Sequence, residues 1–375
     1  MNKKPGYISF TGYTAVDTDE NVLDAARHRC IEIYGMGLPV MISFSGGKDS
    51  TCVLMLMLEA ARKLDRLPLH VCMVDEEVID PDTIEYVTEV SQWPEIEFHW
   101  LCVSIRHTLR SELRSHWYTW DPDERDVWAR ELPSNAITEI PDFPSKGDRG
   151  YGDVIGAYCK NVLGWGKACQ IGGIRAGEAF NRRRAIIQSG SSRVNTSYGW
   201  WCKPIYDWTI DDVWKAIREF DWPYSKFYTK VQMTGMSLRK QRVAPWGNVA
   251  SMAEAPLYPS LYPDFWNRVI YRLPELKAAS RYGTSKLYQK SSAEAKPDEL
   301  TWSEYVFHLI SLFPDEDKKY WMAQVKDMLS RHSKRFTVPF PEEPIVERDR
   351  ISWKGLAQMV AKNDRIAGGS SRDRI

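Results

Sequence analysis

The feature that most constrains this chain is a short buried-strand pattern that runs into paired glycines and then into a long helix. Val40, Met41 and Ile42 form the apolar run, which ends in Ser43-Phe44-Ser45-Gly46-Gly47-Lys48-Asp49-Ser50. Thr51 to Ala61 follows at good helical propensity. Paired glycines let the backbone approach an anion closely, and the N-terminus of the next helix points free N–H groups at it. Ser45 and Ser50 add hydroxyl donors, and Lys48 adds a point positive charge. The stretch is built to hold phosphate. It is not a Walker A loop, because the first glycine of G-x-x-x-x-G-K-[ST] is missing.

The same strand-then-helix order recurs. Leu69 to Val74 reads as a second buried strand ending at Asp75-Glu76-Glu77, and Asp80-Pro81-Asp82-Thr83 opens a helix with proline at its first position. Ile96 to Val103 and Ala168 to Ile171 read as further strands, and Asp17 to Tyr34 as a helix ahead of them. Continuous rather than alternating apolar character indicates an α/β fold with a parallel sheet covered on both faces. Residues 104–167 read as an insertion, with a helix from about Tyr151 to Leu163. Ser189 to Gly199 is polar and reads as a mobile loop. Thr209-Ile210-Asp211-Asp212 resembles a capping box that starts another helix. Beyond residue 256 helices are expected over Ser303–Leu312, Asp317–His332 and Trp353–Lys362. With 375 residues the chain exceeds one typical domain. The expected division is a core over 1–225 and a mostly helical C-terminal domain over 226–375.

Composition excludes several classes. Lys+Arg and Asp+Glu are 50 each, so no global field draws nucleic acid or membrane to the chain. No apolar run is long enough to span a bilayer, and the start MNKKPGYISF lacks a signal-peptide core. The seven cysteines form no C-x-x-C pair, and Cys52, Cys72 and Cys102 fall in expected core elements. This usage fits reduced thiols of a cytoplasmic protein, without a disulfide framework, zinc site or iron–sulfur site. The seven histidines show no ligand spacing, so no metal held by protein alone is expected.

Four motifs in order carry a family resemblance: SFSGGKDS (43–50), VDEEVIDPDT (74–83), GGIRAGE (172–178) and PIYDWTIDDVWKAI (204–217). S-G-G-x-D-S is the motif of PP-loop proteins, which cleave ATP between its α- and β-phosphates. The chain resembles the phosphoadenosine phosphosulfate (PAPS) reductase family of that group over roughly residues 20–220. WNRVIYRLPELKAASRYG (266–283) and SWKGLAQMVAKND (352–364) resemble the C-terminal domain of a branch that includes immunoglobulin-binding regulator proteins, whose partner is a ParB/sulfiredoxin-like protein. One departure matters. No cysteine follows Cys202, so the nucleophile of the true reductases is missing and Cys202 is the one substitute.

The resemblance implies an adenine-nucleotide site. Ser43, Ser45, Gly46, Gly47, Lys48, Asp49 and Ser50 would cradle the pyrophosphate part of ATP, with Asp49 either in the cradle or capping the loop. Val74 would offer backbone groups to adenine. Asp75, at the C-terminal end of a parallel strand, would hold Mg²⁺ or cap the next helix. Gly172 and Gly173 would approach the α-phosphate or ribose, and Arg175 would pair with phosphate. Glu178 would orient Arg175 or be solvated. Lys48, Asp75 and Arg175 are the expected catalytic residues. Of Arg182, Arg183 and Arg184, helical geometry lets one or two face the site. The acid-free run with Lys226, Lys230, Arg239, Lys240 and Arg242 is the candidate nucleic-acid surface, with Tyr224, Phe227, Tyr228 and Trp246 interleaved. Its alternatives are a basic lip over the nucleotide or a partner contact. The expected activity is adenylyl transfer to an acceptor. The rivals are sulfonucleotide reduction through Cys202 and nucleotide sensing without catalysis.

Overall fold

The computed structural model describes residues 10–11, 14–15, 20–108, 116–144, 146, 151–178, 182, 186, 192–238, 241–246, 254–277, 297, 299–313, 315–334, 339–343 and 352–361. The strands are β1 (Phe10–Thr11), β2 (Thr14–Ala15), β3 (Val40–Ser43), β4 (Leu69–Val74), β5 (Ile96–Leu101), β6 (Arg106–Thr108), β7 (His116–Tyr118), β8 (Ala136–Ile137), β9 (Ala168–Gly172), β10 (Arg193–Thr196) and β11 (Gly199–Cys202). The α-helices are α1 (Val22–Gly35), α2 (Lys48–Leu64), α3 (Pro81–Ser91), α4 (Tyr151–Asn161), α5 (Ile210–Glu219), α6 (Lys226–Met233), α7 (Tyr258–Leu261), α8 (Pro263–Arg272), α9 (Trp302–Ser311), α10 (Asp315–Ser333) and α11 (Trp353–Ala361). Among the described residues no helix is long and apolar enough to cross a membrane.

A seven-stranded sheet runs in the order β10-β11-β9-β3-β4-β5-β8. Every pair is parallel except the edge pair β10–β11. The apolar runs behave as expected of strands covered on both faces. Val40, Met41 and Ile42 are all buried, as are Val71, Cys72, Met73 and Val74. Ile42, Val71 and Met73 join one cluster with α1, α2, α3 and α5, while Met41, Cys72 and Leu101 join another with α4.

Local signals place the helix ends. Asn21 and Asp80 accept from Leu23 N and Thr83 N to start α1 and α3, and Thr209 with Asp212 forms the expected capping box of α5. Helix α2 has no side-chain cap: its N-cap is Gly47. Its first N–H groups therefore depend on partners from outside the helix.

Three expectations change. The segment read as a mobile loop is, over its described residues, the hairpin β10–β11, with Gly199 at φ +121° in its turn and Cys202 beside Ile171 of β9. Cross-strand partners make a strand of it that its polar composition hides. The insertion is not separate from the sheet, because Ala136–Ile137 extends the sheet beyond β5 and β6–β7 forms a second hairpin. The chain also divides later than residue 225. One unit takes in residues 17–284, and the other is formed by 285–375 with 9–16. Helices α6, α7 and α8 thus belong to the unit that holds the sheet. Their aromatic residues Phe227, Tyr228, Tyr258, Phe265 and Trp266, with Trp246 and Tyr262 from the connecting segments, form its satellite core with Val78 and Trp117. In the second unit, α9, α10 and α11 pack around Tyr305, Trp321, Leu356 and Val360, close to the expected helix bounds.

Candidate functional site at the PP-loop

Strand β3 pairs with β4 on one side and β9 on the other, so the chain reverses its direction of winding there. Ligands of open parallel sheets bind in the crevice at such a switch point, beyond the carboxyl ends of the strands. Residues 44–47 leave β3 at that point. Gly46 takes φ +70°, and a Cβ there would lie 2.7 Å from the Thr83 methyl. The turn therefore needs glycine for both conformation and space.

The loop is tied internally. The Ser50 hydroxyl donates to Gly47 O at 2.8 Å, accepts from Ser45 N at 3.3 Å and lies 3.2 Å from the Ser45 hydroxyl. The Lys48 N–H, the first of α2, donates to the Tyr228 hydroxyl at 3.0 Å. The Lys48 ammonium is buried, 3.2 Å from both Gln241 O and Asp49 Oδ2. Asp49 bridges two cations, because its other oxygen accepts from Arg175 Nε. Arg175 also reaches Trp208 O at 3.5 Å. Glu178 accepts from Arg175 N at 3.3 Å and from the Arg182 guanidinium, and Arg242 donates to Glu178 O at 3.1 Å.

Lys48, Arg175, Arg182 and Arg242 thus converge on the loop with Asp49 and Glu178 as their carboxylate partners. Burial pushes the Lys48 ammonium below its ordinary pKa, and although Asp49 opposes this, the charges of Arg175 and Arg242 add to it. Arg182 is lowered by burial and by Arg242 and Arg175. The cations repel one another, and an anion placed among them would relieve both shifts. Glu254 completes the rim. It accepts from Arg242 N at 3.2 Å, its other oxygen has no hydrogen-bond partner among the described residues, and burial raises its carboxyl to about 7.

Several expected residues sit elsewhere or act otherwise. The Asp75 carboxylate is fully buried and already engaged: it accepts from Glu77 N at 2.9 Å, from Trp100 Nε1 at 2.6 Å and from the Arg130 guanidinium. It does not fit a Mg²⁺ ligand, which must offer a free oxygen, nor does it cap α3, whose cap is Asp80. Val74 ends β4 beside Leu101 with its side chain buried. A Cβ on Gly172 would lie 2.8 Å from the Trp201 ring, and one on Gly173 would lie 2.7 Å from the backbone of Asp49 and Ser50. Both glycines serve close packing within the protein. Of the arginine run, Arg182 joins the site, and Arg183 and Arg184 lie outside the described residues.

Among the described residues of the basic run, Tyr224 is the exposed ring. Phe227, Tyr228 and Trp246 are buried, while Lys226 and Lys230 pair with Glu85 and Asp82 of α3 at 2.8 Å. Arg239 and Lys240 lie outside the described residues. Arg242 instead lies beside the loop, donating to Glu178 O. Sequence reasoning missed Tyr228, Gln241 and Glu254 as residues of the loop's surroundings, because no local spacing links positions about half the chain apart.

All seven cysteines are free and buried. Cys202 is 1% exposed on β11, and its hydrogen bond with Cys169, together with burial, pushes its thiol above the ordinary range. A thiol in that state is a poor nucleophile.

Residues 39–261 match the phosphoadenosine phosphosulfate reductase domain family, more than half of the chain. The chain belongs to this family. Its four motifs in order had pointed there, and the parallel sheet with the loop at its switch point agrees. Residues 235–337 match a domain of unknown function, DUF3440. This family member is 27% identical over 365 residues to the uncharacterized protein YbdN of Escherichia coli K12, covering 92% of this chain and 88% of that one. Among solved structures, the Candida glabrata FMN adenylyltransferase in complex with ATP is 12% identical at a TM-score of 0.37, over 58% of this chain and 63% of that one. The Candida auris phosphoadenylyl-sulfate reductase in its phosphate complex is 11% identical at a TM-score of 0.32, over 62% of this chain and 97% of that one.

Proposed function

We propose that this PAPS-reductase-family chain binds ATP at residues 45–50 and transfers its adenylyl group to an acceptor, releasing pyrophosphate. The observation that carries the reading is the convergence of Lys48, Arg175, Arg182 and Arg242 on a glycine loop at a sheet switch point. Such a cluster suits a polyphosphate, whose charge would replace that of Asp49 and Glu178 as the partner of the cations. An acceptor oxygen attacks the α-phosphorus, a new P–O bond forms, and the bond from the α-phosphorus to the bridging oxygen breaks. Negative charge then grows on the departing pyrophosphate. Lys48 and Arg175 stabilise it, with the first N–H groups of α2. Asp75 does not fit the metal role, because its carboxylate is already engaged by Glu77, Trp100 and Arg130.

Sulfonucleotide reduction is the weaker reading, since it needs a reachable thiolate and Cys202 is buried with a raised pKa. A sensor that binds nucleotide without turnover would use the same loop and is separated only by assay. Binding and turnover are measured in succession on the whole chain. ATP should raise the melting temperature, because binding stabilises the native state by RT ln(1 + [L]/Kd), about 2.7 kcal/mol at a hundredfold excess over Kd. Lys48→Ala should remove most of that shift. With α-labelled ATP, label should then appear in AMP or an adenylated product, with Cys202→Ser leaving the yield nearly unchanged. No shift with any adenine nucleotide defeats the proposal, and thioredoxin-dependent sulfite release lost in Cys202→Ser would establish reduction in its place.

A further inference from the structure

The parallel pairing of β4 with β5 sets His70 opposite Glu97 and Cys72 opposite His99. His70, Glu97 and His99 consequently point to one face of the sheet, the face covered by α4. Their donor atoms converge. His70 Nδ1 lies 3.2 Å from His99 Nε2 and 3.5 Å from Glu97 Oε1, and His99 Nε2 lies 3.8 Å from the same oxygen. Three ligands of a tetrahedral zinc ion, each about 2.0–2.2 Å from the metal, stand about 3.4 Å apart. The three separations in the protein bracket that value, so the donors already outline one face of a coordination tetrahedron.

We propose that His70 Nδ1, Glu97 Oε1 and His99 Nε2 form a binding site for one divalent transition-metal ion of the Zn²⁺ class. Two imidazoles and one carboxylate are donors of the right softness for such a cation and a poor set for Mg²⁺ or Ca²⁺. A second layer supports the arrangement. The other ring nitrogen of His99 meets the Tyr158 hydroxyl of α4 at 2.9 Å, which fixes the ring so that Nε2 faces His70. The Trp165 ring meets His70 edge-on at 4.9 Å and limits its rotation. The side chains of His70 and Glu97 are 30% and 51% exposed, so the fourth position opens to water. The site lies toward the amino ends of β4 and β5, whereas the PP-loop follows the carboxyl end of β3. The ion would therefore clamp two parallel strands and take no part in phosphate chemistry. Histidine spacing along the chain gives no sign of this cluster, since His70 and His99 meet across neighbouring strands.

The test uses the whole chain, stripped of metal with a chelator and kept free of nucleotide. Calorimetric titration with Zn²⁺ should give one equivalent bound, and Co²⁺ should give the intense visible absorption of a four-coordinate site. Tyr158→Phe should weaken Zn²⁺ binding about tenfold, and His70→Asn or Glu97→Gln should weaken it further. The last two positions lie at the accessible rim, and circular dichroism reports whether each variant is folded. Zn²⁺ should also raise the melting temperature of the parent chain more than that of any variant at the same concentration. The absence of saturable binding to the parent would overturn the site. So would equal affinity in the parent and a folded His70→Asn or Glu97→Gln variant, which would leave the cluster as a hydrogen-bonded histidine pair.

Discussion

The Tyr228 hydroxyl accepts a hydrogen bond at 3.0 Å from the Lys48 N–H, a group that a phosphate-binding loop would offer to its ligand. Burial raises the phenol well above its ordinary pKa, so the group stays a neutral hydroxyl. The Lys48 ammonium lies over the same ring, 5.3 Å from its centroid. One aromatic residue from α6 thus holds both polar groups of the lysine at the mouth of the site.

If the hydroxyl stands in for a phosphate oxygen, it competes with nucleotide. Tyr228→Phe keeps the ring and removes the competitor. We expect the affinity for ATP or pyrophosphate to rise about fivefold, the equivalent of one hydrogen bond of about 1 kcal/mol, and the unliganded protein to lose a similar amount of stability. Calorimetry and urea denaturation measure the two. A fall in affinity would mean that the hydroxyl helps to bind the ligand.

Helix α8 is tied to the unit that holds the sheet through Arg272. This side chain is 1% exposed and donates through Nε to the fully buried Glu77 at 3.0 Å. It also pairs with Glu124 and reaches Tyr118 O at 2.9 Å. Glu77 further accepts from Trp120 N and Ala129 N, so one buried carboxylate organises the segment that follows β5 and anchors α8 to it. Breaking a buried pair strands the remaining charge. Arg272→Met should destabilise the chain by about 3–5 kcal/mol, whereas a change at the exposed Tyr271 should stay within about 0.5 kcal/mol. Comparable denaturation midpoints for the two would show that Arg272 does not anchor α8 to the core.

The sheet was legible because its strands are buried on both faces. Leu69 to Val74 needs no partner to be recognised: apolar continuity and the flanking turn residues suffice, and the observed strand has those bounds. Arg193 to Cys202 was not legible, since its strand character depends on β9 lying alongside. The loop and its cations Lys48 and Arg175 were readable as motifs. Their protein partners were not. Tyr228 and Glu254 meet the loop through tertiary packing, and Asp75 looked available only because Trp100 and Arg130 cannot be placed beside it by spacing alone.

Two glycines of one motif offer an internal comparison. A Cβ on Gly173 would stand 2.7 Å from Asp49 C and Ser50 N, which are helix backbone and cannot yield, while one on Gly177 meets nothing within 4 Å. Gly173→Ala should destabilise by about 1–3 kcal/mol through overpacking and should also weaken nucleotide binding, because the atoms displaced belong to the first turn of α2. Gly177→Ala should leave both nearly unchanged. Thermal melts with and without ATP give both quantities, and equal behaviour of the two variants would contradict the close approach.

Glu254 supplies a pH signature for the site. Its carboxyl is raised from 4.5 to about 7, first by burial, with the backbone hydrogen bonds and the charges of Arg242 and Lys48 opposing the shift. The folded state therefore holds this proton more tightly than the unfolded chain does. The resulting stabilisation is complete below the unfolded value near 4.5 and is lost as pH rises through about 7. Glu254→Gln keeps the shape and cannot titrate. The stability of the parent relative to the variant should fall by about 3 kcal/mol between those limits. The difference between the two profiles is the quantity to measure, since Asp80 is also raised to about 7 by burial and titrates in the same sense in both proteins. An anionic ligand among Lys48, Arg175 and Arg242 would repel the ionised carboxylate, so bound pyrophosphate should hold Glu254 protonated to higher pH and enlarge the gap. Urea denaturation at a series of pH values, with and without pyrophosphate, tests both effects. Parallel profiles for parent and variant would show that Glu254 titrates alike in both states and carries no such linkage.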